Sequence, residues 1–177
     1  MERYIRAHAL REGVLRLALE PSADAGRVHL SLAARAARSV PEAGVRLIVV
    51  QAPRLPLDPF CIHKRTRRGL YEHASAQARA QHAFDAILTD EAGHWVECAT
   101  ANLHVFAEGV WWSPGAPQGA LPGLEREDFL ARAGAYREQA VPPDLLPRVE
   151  AVCLTNSVLG TVKILTVEGH WWRNKPA

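Results

Sequence analysis

The order of strand-like and helix-like segments along the chain predicts an α+β fold built around a mixed sheet. Three strand-like runs come first, a helical pattern follows, and hairpins, a second helical pattern and two further strands complete the order. Such grouping differs from the regular alternation of strands and helices that produces a βαβ array. The length of 177 residues allows a single domain, 1–177, to bury a core without disulfide or metal support.

The first three strands are predicted from their apolar patterns. Residues 14–19 and 27–33 alternate apolar side chains with others, which is typical of strands with one buried face. Residues 45–51, VRLIVVQ, form a denser apolar run that suits a strand buried on both faces. The turn-forming segments PSADAG and PEAG separate these runs, and the first ten residues are expected to end a helix.

The remaining elements follow from helical spacing and from glycine-containing turns. A helix is predicted over 67–82, where Leu70, Ala74 and Ala78 form one apolar stripe at spacing four. A second helix is predicted over 124–135. Two hairpins are predicted, the first from strands 84–89 and 95–98 and the second from strands 102–106 and 110–113. The last two strands are predicted over 151–155 and 161–167.

Composition argues against several classes of protein. A net charge of +2 disfavours binding of nucleic acid over the whole surface, and 48% hydrophobic residues disfavour a disordered chain. Cys61, Cys98 and Cys153 are far apart without a CxxC pair, so we expect neither a disulfide framework nor a structural zinc site. No apolar run has the length of a signal peptide or a membrane span, so we expect a soluble, cytoplasmic protein with no membrane partner.

Sequence motifs restrict the chemistry further. The eight histidines are scattered without an HExxH motif or a Cys/His cluster, so no metal site is expected. The chain also lacks GxGxxG, GxxxxGKS/T and GxSxG motifs, which argues against the usual dinucleotide, P-loop and α/β-hydrolase sites.

The basic segment HKRTRR contains the first candidate functional residue, Lys64. The segment could be a solvated loop or, with less support because no aromatic residues are interleaved, a nucleic-acid patch. Alternatively, an apolar pair precedes Lys64 and three arginines follow it. Partial burial and neighbouring positive charge would then depress its pKa and make the amine nucleophilic, as Schiff-base chemistry requires.

Glu97 ends the short strand WVE and is followed by the small residues of CATA. One interpretation is an ordinary surface glutamate. The other is a buried acid that holds a cation or a protonated ring nitrogen.

Two segments have the residue types of a phosphate site. Residues 121–126 are predicted to form a Pro-Gly turn that leads into a helix. The first N–H groups of this helix could bind a phosphate, or the segment could be an ordinary helix start without a ligand. Thr155, Asn156 and Ser157 end a strand with hydroxyl and amide groups, which could bind phosphate or only cap the segment.

Taken in order, these segments resemble the class IV, or fold-type IV, family of pyridoxal phosphate (PLP) enzymes. The similar segments are HKRTRRGLYEHA, FDAILTDEAGHWVECATANLHVFAEG, WWSPGAPQGALPGLERE and AVCLTNSVLGTV, over about residues 12–169. The resemblance implies a mixed, mostly antiparallel sheet or pseudo-barrel with helices packed on it, as in D-amino-acid aminotransferases. It further implies that 12–177 are the PLP-binding large domain and that 1–11 are the tail of a small N-terminal domain, which is otherwise absent.

The site residues of the family can be matched to this sequence one by one. Lys64 matches the lysine that binds the cofactor covalently and moves the substrate proton, and Glu97 matches the carboxylate that pairs with the pyridine nitrogen. The phosphate-binding positions of the family correspond to the backbone N–H groups of Leu124 and Glu125 and to Ser157, with Asn156 beside it. Asn102 corresponds to a supporting asparagine near the glutamate.

Within the family, the segments KRTRR and TNSV are most similar to aminodeoxychorismate lyase. That resemblance implies conversion of 4-amino-4-deoxychorismate to 4-aminobenzoate and pyruvate in folate biosynthesis. The alternatives are a branched-chain or D-amino-acid aminotransferase, to which the offset Tyr71 is a poorer match, and a truncated relic that binds PLP weakly or not at all. The family also implies a small amine or amino acid as substrate and a homodimer.

Two positions differ from the family pattern. Glu125 stands where the family usually has threonine or another small uncharged residue, and a carboxylate beside a phosphate is repulsive unless it points away. Leu159 stands where the lyases often have arginine. The small N-terminal domain, expected to be absent, normally supplies an arginine to the cofactor phosphate and one wall of the substrate site.

Overall fold

The computed structural model describes residues 13–23, 26–36, 38–50, 69–168 and 170–171. The chain divides into two compact units, Met1–Ser39 and Val40–Ala177, and the single domain over 1–177 with its boundary at 11/12 stays a prediction. The predicted N-terminal tail, 1–11, lies outside the described residues, as does the segment 51–68 that contains Lys64. Within the described ranges, no helix combines the length and the apolarity needed to span a membrane.

The first unit is an antiparallel ribbon of β1 (Val14–Pro21) and β2 (Val28–Arg35). Leu17 lies opposite Leu32 and Leu19 lies opposite Leu30, which confirms both predicted strands. Because side chains alternate between the faces of a strand, these pairs share one face. That face carries only apolar residues: Leu15, Leu17, Leu19, Pro21, Val28, Leu30, Leu32 and Ala34.

The described residues of the second unit include a mixed sheet of nine strands. The strands are β3 (Val45–Val50), β4 (Asp85–Thr89), β5 (Trp95–Cys98), β6 (Asn102–Ala107), β7 (Val110–Trp112), β8 (Tyr136–Arg137), β9 (Val149–Asn156), β10 (Gly160–Val167) and β11 (His170–Trp171). Their order is β5-β4-β3-β10-β9-β6-β7-β8, with β11 paired to β10. Strand β3 is parallel to both neighbours and β7 is parallel to β8, whereas the other pairs are antiparallel. The predicted mixed, mostly antiparallel sheet is therefore confirmed.

The two ends of this sheet approach each other. Trp95 on the edge strand β5 exchanges two backbone hydrogen bonds with Val141, which follows β8 at the opposite end, at N–O distances of 2.8 and 2.9 Å. The sheet is therefore curved toward a half-barrel, which agrees with the pseudo-barrel that the resemblance implies.

In the part of the chain that the structure describes, two helices pack against the sheet of the second unit. Helix α1 (Gly69–Ala80) lies on β3 and β4 and buries Ala74 and Ala78, as its predicted stripe requires. Helix α2 (Leu124–Ala133) lies beside β9 and β10 and buries Leu130. Strand β3 is buried on both faces apart from Arg46 and the partly buried Val49, so its dense apolar run is confirmed as an interior strand.

Candidate active site

Glu97 is a buried acid at the end of β5. Its side chain is 2% exposed, so it is not an ordinary surface glutamate, and its role in holding a cation or a ring nitrogen stays a prediction. Its Oε1 accepts a hydrogen bond from the Tyr71 hydroxyl at 2.5 Å, and its Oε2 accepts one from the backbone N–H of Leu121 at 3.0 Å. Burial of a carboxylate costs free energy unless donors replace water, and these two groups do so.

The position of Glu97 follows from the pairing of β5. In register, Glu97 lies opposite Leu88 on β4, the strand on which α1 packs. All four residues of β5 are buried, so no face of this strand remains in solvent. A glutamate at this place therefore lies inside the protein although its sequence neighbours do not require it.

Asn102, at the start of β6, holds the same loop from its other side. Its Nδ2 donates to the Leu121 carbonyl at 2.7 Å, so Glu97 and Asn102 bind the N–H and the C=O of one residue. A Cβ on Gly123 would lie 2.2 Å from Asn102 Oδ1. Gly123 has φ −82°, which any residue can adopt, so the space beside Asn102 and not the backbone conformation requires glycine here.

This loop leads directly into α2, whose first turn has no side-chain cap. Gly123 is the N-cap residue and offers no side-chain acceptor, while Leu124 is 73% exposed. The N–H groups of the first turn of a helix have no partner within the helix, so they suit an anion when no side chain caps them. The matched residues Leu124 and Glu125 therefore lie where a phosphate could be bound, and the loop joins them to Glu97.

Glu125 reaches from α2 toward the turn between β9 and β10. Its Oε1 lies 4.0 Å from the position that a Cβ on Gly160 would occupy, and 3.8 Å from Arg132 Nη2. The carboxylate thus stands between the two segments that are matched to the phosphate site. Arg132 partly compensates its charge.

Asn156 stabilises the turn that follows β9. Its Oδ1 accepts hydrogen bonds from the backbone N–H groups of Val158 at 3.0 Å and Leu159 at 2.9 Å. Its Nδ2 donates to the Thr100 carbonyl at 3.3 Å. The amide of Asn156 is therefore engaged in the turn, which agrees with the capping interpretation, while the neighbouring Ser157 is exposed.

The sequence analysis did not identify three buried or partly buried polar residues of these elements as site residues: Tyr71, His104 and Arg126. Tyr71 contacts Glu97, although the sequence analysis notes it only as a poor match to the tyrosine that the aminotransferases have after the lysine. His104 is fully buried on β6, with Nε2 2.9 Å from the Thr155 hydroxyl and its ring 4.1 Å from that of Phe129. Burial, and then the charge of Arg126, lower the pKa of His104 to about 3.

Arg126 joins α2 to the loop before it. Its Nε donates to Ser113 Oγ and its Nη2 to the Ser113 carbonyl, both at 3.1 Å. Nη2 also pairs with Glu138 at 3.0 Å. Arg126 is 6% exposed, so its charge holds protein segments together inside the structure. No pattern in the sequence distinguishes it from an exposed arginine of a helix.

Cys98 is a core thiol beside the site. Burial, together with the charges of Asp85 and Glu97, raises its pKa well above the ordinary value. The thiolate is the reactive form of cysteine, so this residue is inert, as expected for a small core residue. Among the described residues, no group of three or more His, Cys, Asp or Glu side chains could hold a metal ion.

The fold is shared with class IV aminotransferases. The crystal structure of a protein named "Putative 4-amino-4-deoxychorismate lyase" from Legionella pneumophila has a TM-score of 0.84 at 23% identity, and the match covers 98% of this chain and 69% of that chain. The PLP-bound form of a hypothetical aminotransferase from Mycobacterium tuberculosis has a TM-score of 0.79 at 18% identity and covers 99% and 67%. At these identities the likeness shows the fold.

Sequence comparison establishes the family. The family described as amino-transferase class IV matches residues 1–167, and the chain belongs to this enzyme family. A protein from Schizosaccharomyces pombe named "Putative aminodeoxychorismate lyase" is 30% identical over 104 residues, which are 56% of this chain and 45% of that protein. The chain therefore spans less than half of the length of this curated relative.

Proposed function

We propose that the chain is a PLP-dependent lyase that forms 4-aminobenzoate and pyruvate from 4-amino-4-deoxychorismate, a step of folate biosynthesis. The observation that carries the proposal is the buried Glu97 carboxylate, tied through Leu121 to the start of α2. Membership of the class IV family and the names of the relatives from S. pombe and L. pneumophila support the same function. The family resemblance also supports a homodimer and a small amine or amino acid as substrate, and the cytoplasmic location stays the prediction made from the sequence.

The described residues fit the chemical groups of PLP. A carboxylate can accept about four hydrogen bonds, and Glu97, which accepts one from Tyr71 and one from Leu121, has the acceptor chemistry that a protonated pyridine nitrogen requires. The N–H groups of Leu124 and Glu125 and the hydroxyl of Ser157 would hold the phosphate. The side chain of Glu125 opposes this arrangement, so the phosphate site is weaker than one lined only by neutral groups.

When bound, PLP supplies an electron sink for the carbanion formed at the substrate carbon. Glu97, oriented by hydrogen bonds from Tyr71 and Leu121, would accept a hydrogen bond from the protonated pyridine nitrogen. Lys64, assigned through the family resemblance, would hold the cofactor. Its free amine would accept the proton from the substrate ring carbon that bears the amino group and would return a proton to the departing enolpyruvyl group, which leaves as pyruvate while the ring becomes aromatic.

The test begins with absorbance. The purified chain is mixed with PLP, its near-visible spectrum is recorded before and after borohydride, and Lys64→Ala is measured beside Lys163→Ala, which removes an exposed lysine of β10. We expect the wild type and Lys163→Ala to show an absorbance band that borohydride removes. Lys64→Ala should lack this band. A reducible adduct that persists in Lys64→Ala would show that another residue binds the cofactor.

Activity then separates the remaining functions. Pyruvate release from 4-amino-4-deoxychorismate supports the lyase. Transfer of an amino group between an amino acid and a keto acid, without pyruvate release, would instead identify a class IV aminotransferase. A folded chain that shows no reducible band would be a relic of the family and would refute the proposed function.

A further inference from the structure

The Tyr71 hydroxyl donates a short hydrogen bond to Glu97. Its oxygen lies 2.5 Å from Glu97 Oε1, a distance typical of a strong bond between a hydroxyl and a charged carboxylate. The ring of Tyr71 is partly buried and packs against the apolar cluster between α1 and the sheet, which includes Leu88 and Ala99. The phenol is therefore held in place by packing as well as by the hydrogen bond.

Two hydrogen bonds to Glu97 come from different elements. Tyr71 lies in the first turn of α1, while Leu121 lies in the loop that leads into α2. One of these donors binds each carboxylate oxygen, so together they restrict the plane in which the carboxylate lies. Loss of the Tyr71 donor would remove one of these two restraints on Oε1.

We propose that Tyr71 is a positioning residue that aims the Glu97 carboxylate at the pyridine nitrogen of PLP. The inference rests on the proposed PLP function and deepens it by assigning a second residue to recognition of the ring nitrogen. Tyr71 acts through Glu97, so its effect depends on whether the ligand has a nitrogen at this place. This dependence distinguishes a positioning role from a general contribution to packing.

The experiment compares PLP with its 1-deaza analogue, in which a carbon replaces the pyridine nitrogen. Dissociation constants are measured by tryptophan fluorescence for the wild type, Tyr71→Phe and, as a matched control, Tyr136→Phe, which alters an exposed tyrosine of β8. The wild type and Tyr136→Phe should prefer PLP over the analogue. Tyr71→Phe should lose roughly three- to tenfold in PLP affinity and bind the analogue as the wild type does, because the lost bond acts on PLP only through Glu97 and an ordinary hydrogen bond has about this effect.

The outcomes separate the two proposals. Equal loss of affinity for both ligands in Tyr71→Phe, or no loss for either, would overturn the role of Tyr71 while leaving PLP binding established. Absence of a reducible adduct in the wild type would instead overturn the proposed function. If Tyr71→Phe does not fold, as judged by circular dichroism, 3-fluorotyrosine introduced at position 71 keeps the shape and changes the acidity of the phenol. The preference for PLP over the analogue should then change, and an unchanged preference would overturn the inference.

Discussion

The burial of His104 predicts how the stability of the protein depends on pH. Its side chain is 0% exposed, and burial with the nearby charge of Arg126 lowers its pKa to about 3. In the unfolded chain the pKa of a histidine is about 6.5. Between these two values the unfolded chain binds a proton at this residue that the folded chain does not bind. Acid therefore favours the unfolded state.

The magnitude follows from the linkage between proton binding and folding. A difference of one bound proton changes the free energy of unfolding by about 1.36 kcal/mol per pH unit. The stabilisation is fully present above pH ~6.5 and falls as the pH is lowered toward the folded pKa. Acidification from pH ~7 to pH ~5 should therefore remove about 2 kcal/mol of stability through His104 alone.

Urea unfolding at a series of pH values tests this reasoning. The variants are His104→Gln and, as a control, His73→Gln, which changes an exposed histidine of α1. His104→Gln loses packing against Phe129, so its stability at neutral pH falls, but the slope of stability against pH is the informative quantity. The slope should be flatter in His104→Gln by about 1 kcal/mol per pH unit and unchanged in His73→Gln. An unchanged slope in His104→Gln would refute the assignment of a neutral, buried histidine.

Two further outcomes are expected at the loop before α2 and at the phosphate position. Gly123→Ala places a Cβ 2.2 Å from Asn102 Oδ1, so Asn102 must move and its hydrogen bond to the Leu121 carbonyl is lost. The free energy of unfolding should fall by about 1–3 kcal/mol. Equal urea midpoints for the variant and the wild type would contradict this. Glu125→Gln should tighten PLP binding about fivefold in a fluorescence titration. The reason is that repulsion between a carboxylate and a phosphate costs ~1 kcal/mol at ~4 Å even in water. An unchanged Kd would mean that the phosphate binds elsewhere.

Elements with a strict apolar period were predictable from the sequence. The run over 45–51, the helical stripe of Leu70, Ala74 and Ala78, and the two hairpins all correspond to observed elements. The two-residue strands β8 and β11 were not predicted, because so short a segment has no period. The same holds for the 3₁₀ turns at 116–118 and 143–148, where prolines conceal the helical turn.

The candidate site was only partly predictable. Glu97, Asn102 and the start of α2 were matched through the family resemblance, and the structure joins all three through the loop that contains Leu121. The role assigned to Lys64 stays a prediction, because this residue lies outside the described ranges. Tyr71 could not be identified because its contact with Glu97 joins residues of different elements.

The sequence by itself determined the fold class, the periodic elements and the family, because these depend on local patterns and on the order of motifs along the chain. Only the tertiary structure decided that Glu97 is buried, which residues donate to it, and that the space beside Asn102 requires glycine at 123. Each of these facts depends on which segments meet after folding. A carboxylate is stable in the interior only where donors from distant segments converge on it, and local sequence does not record that convergence.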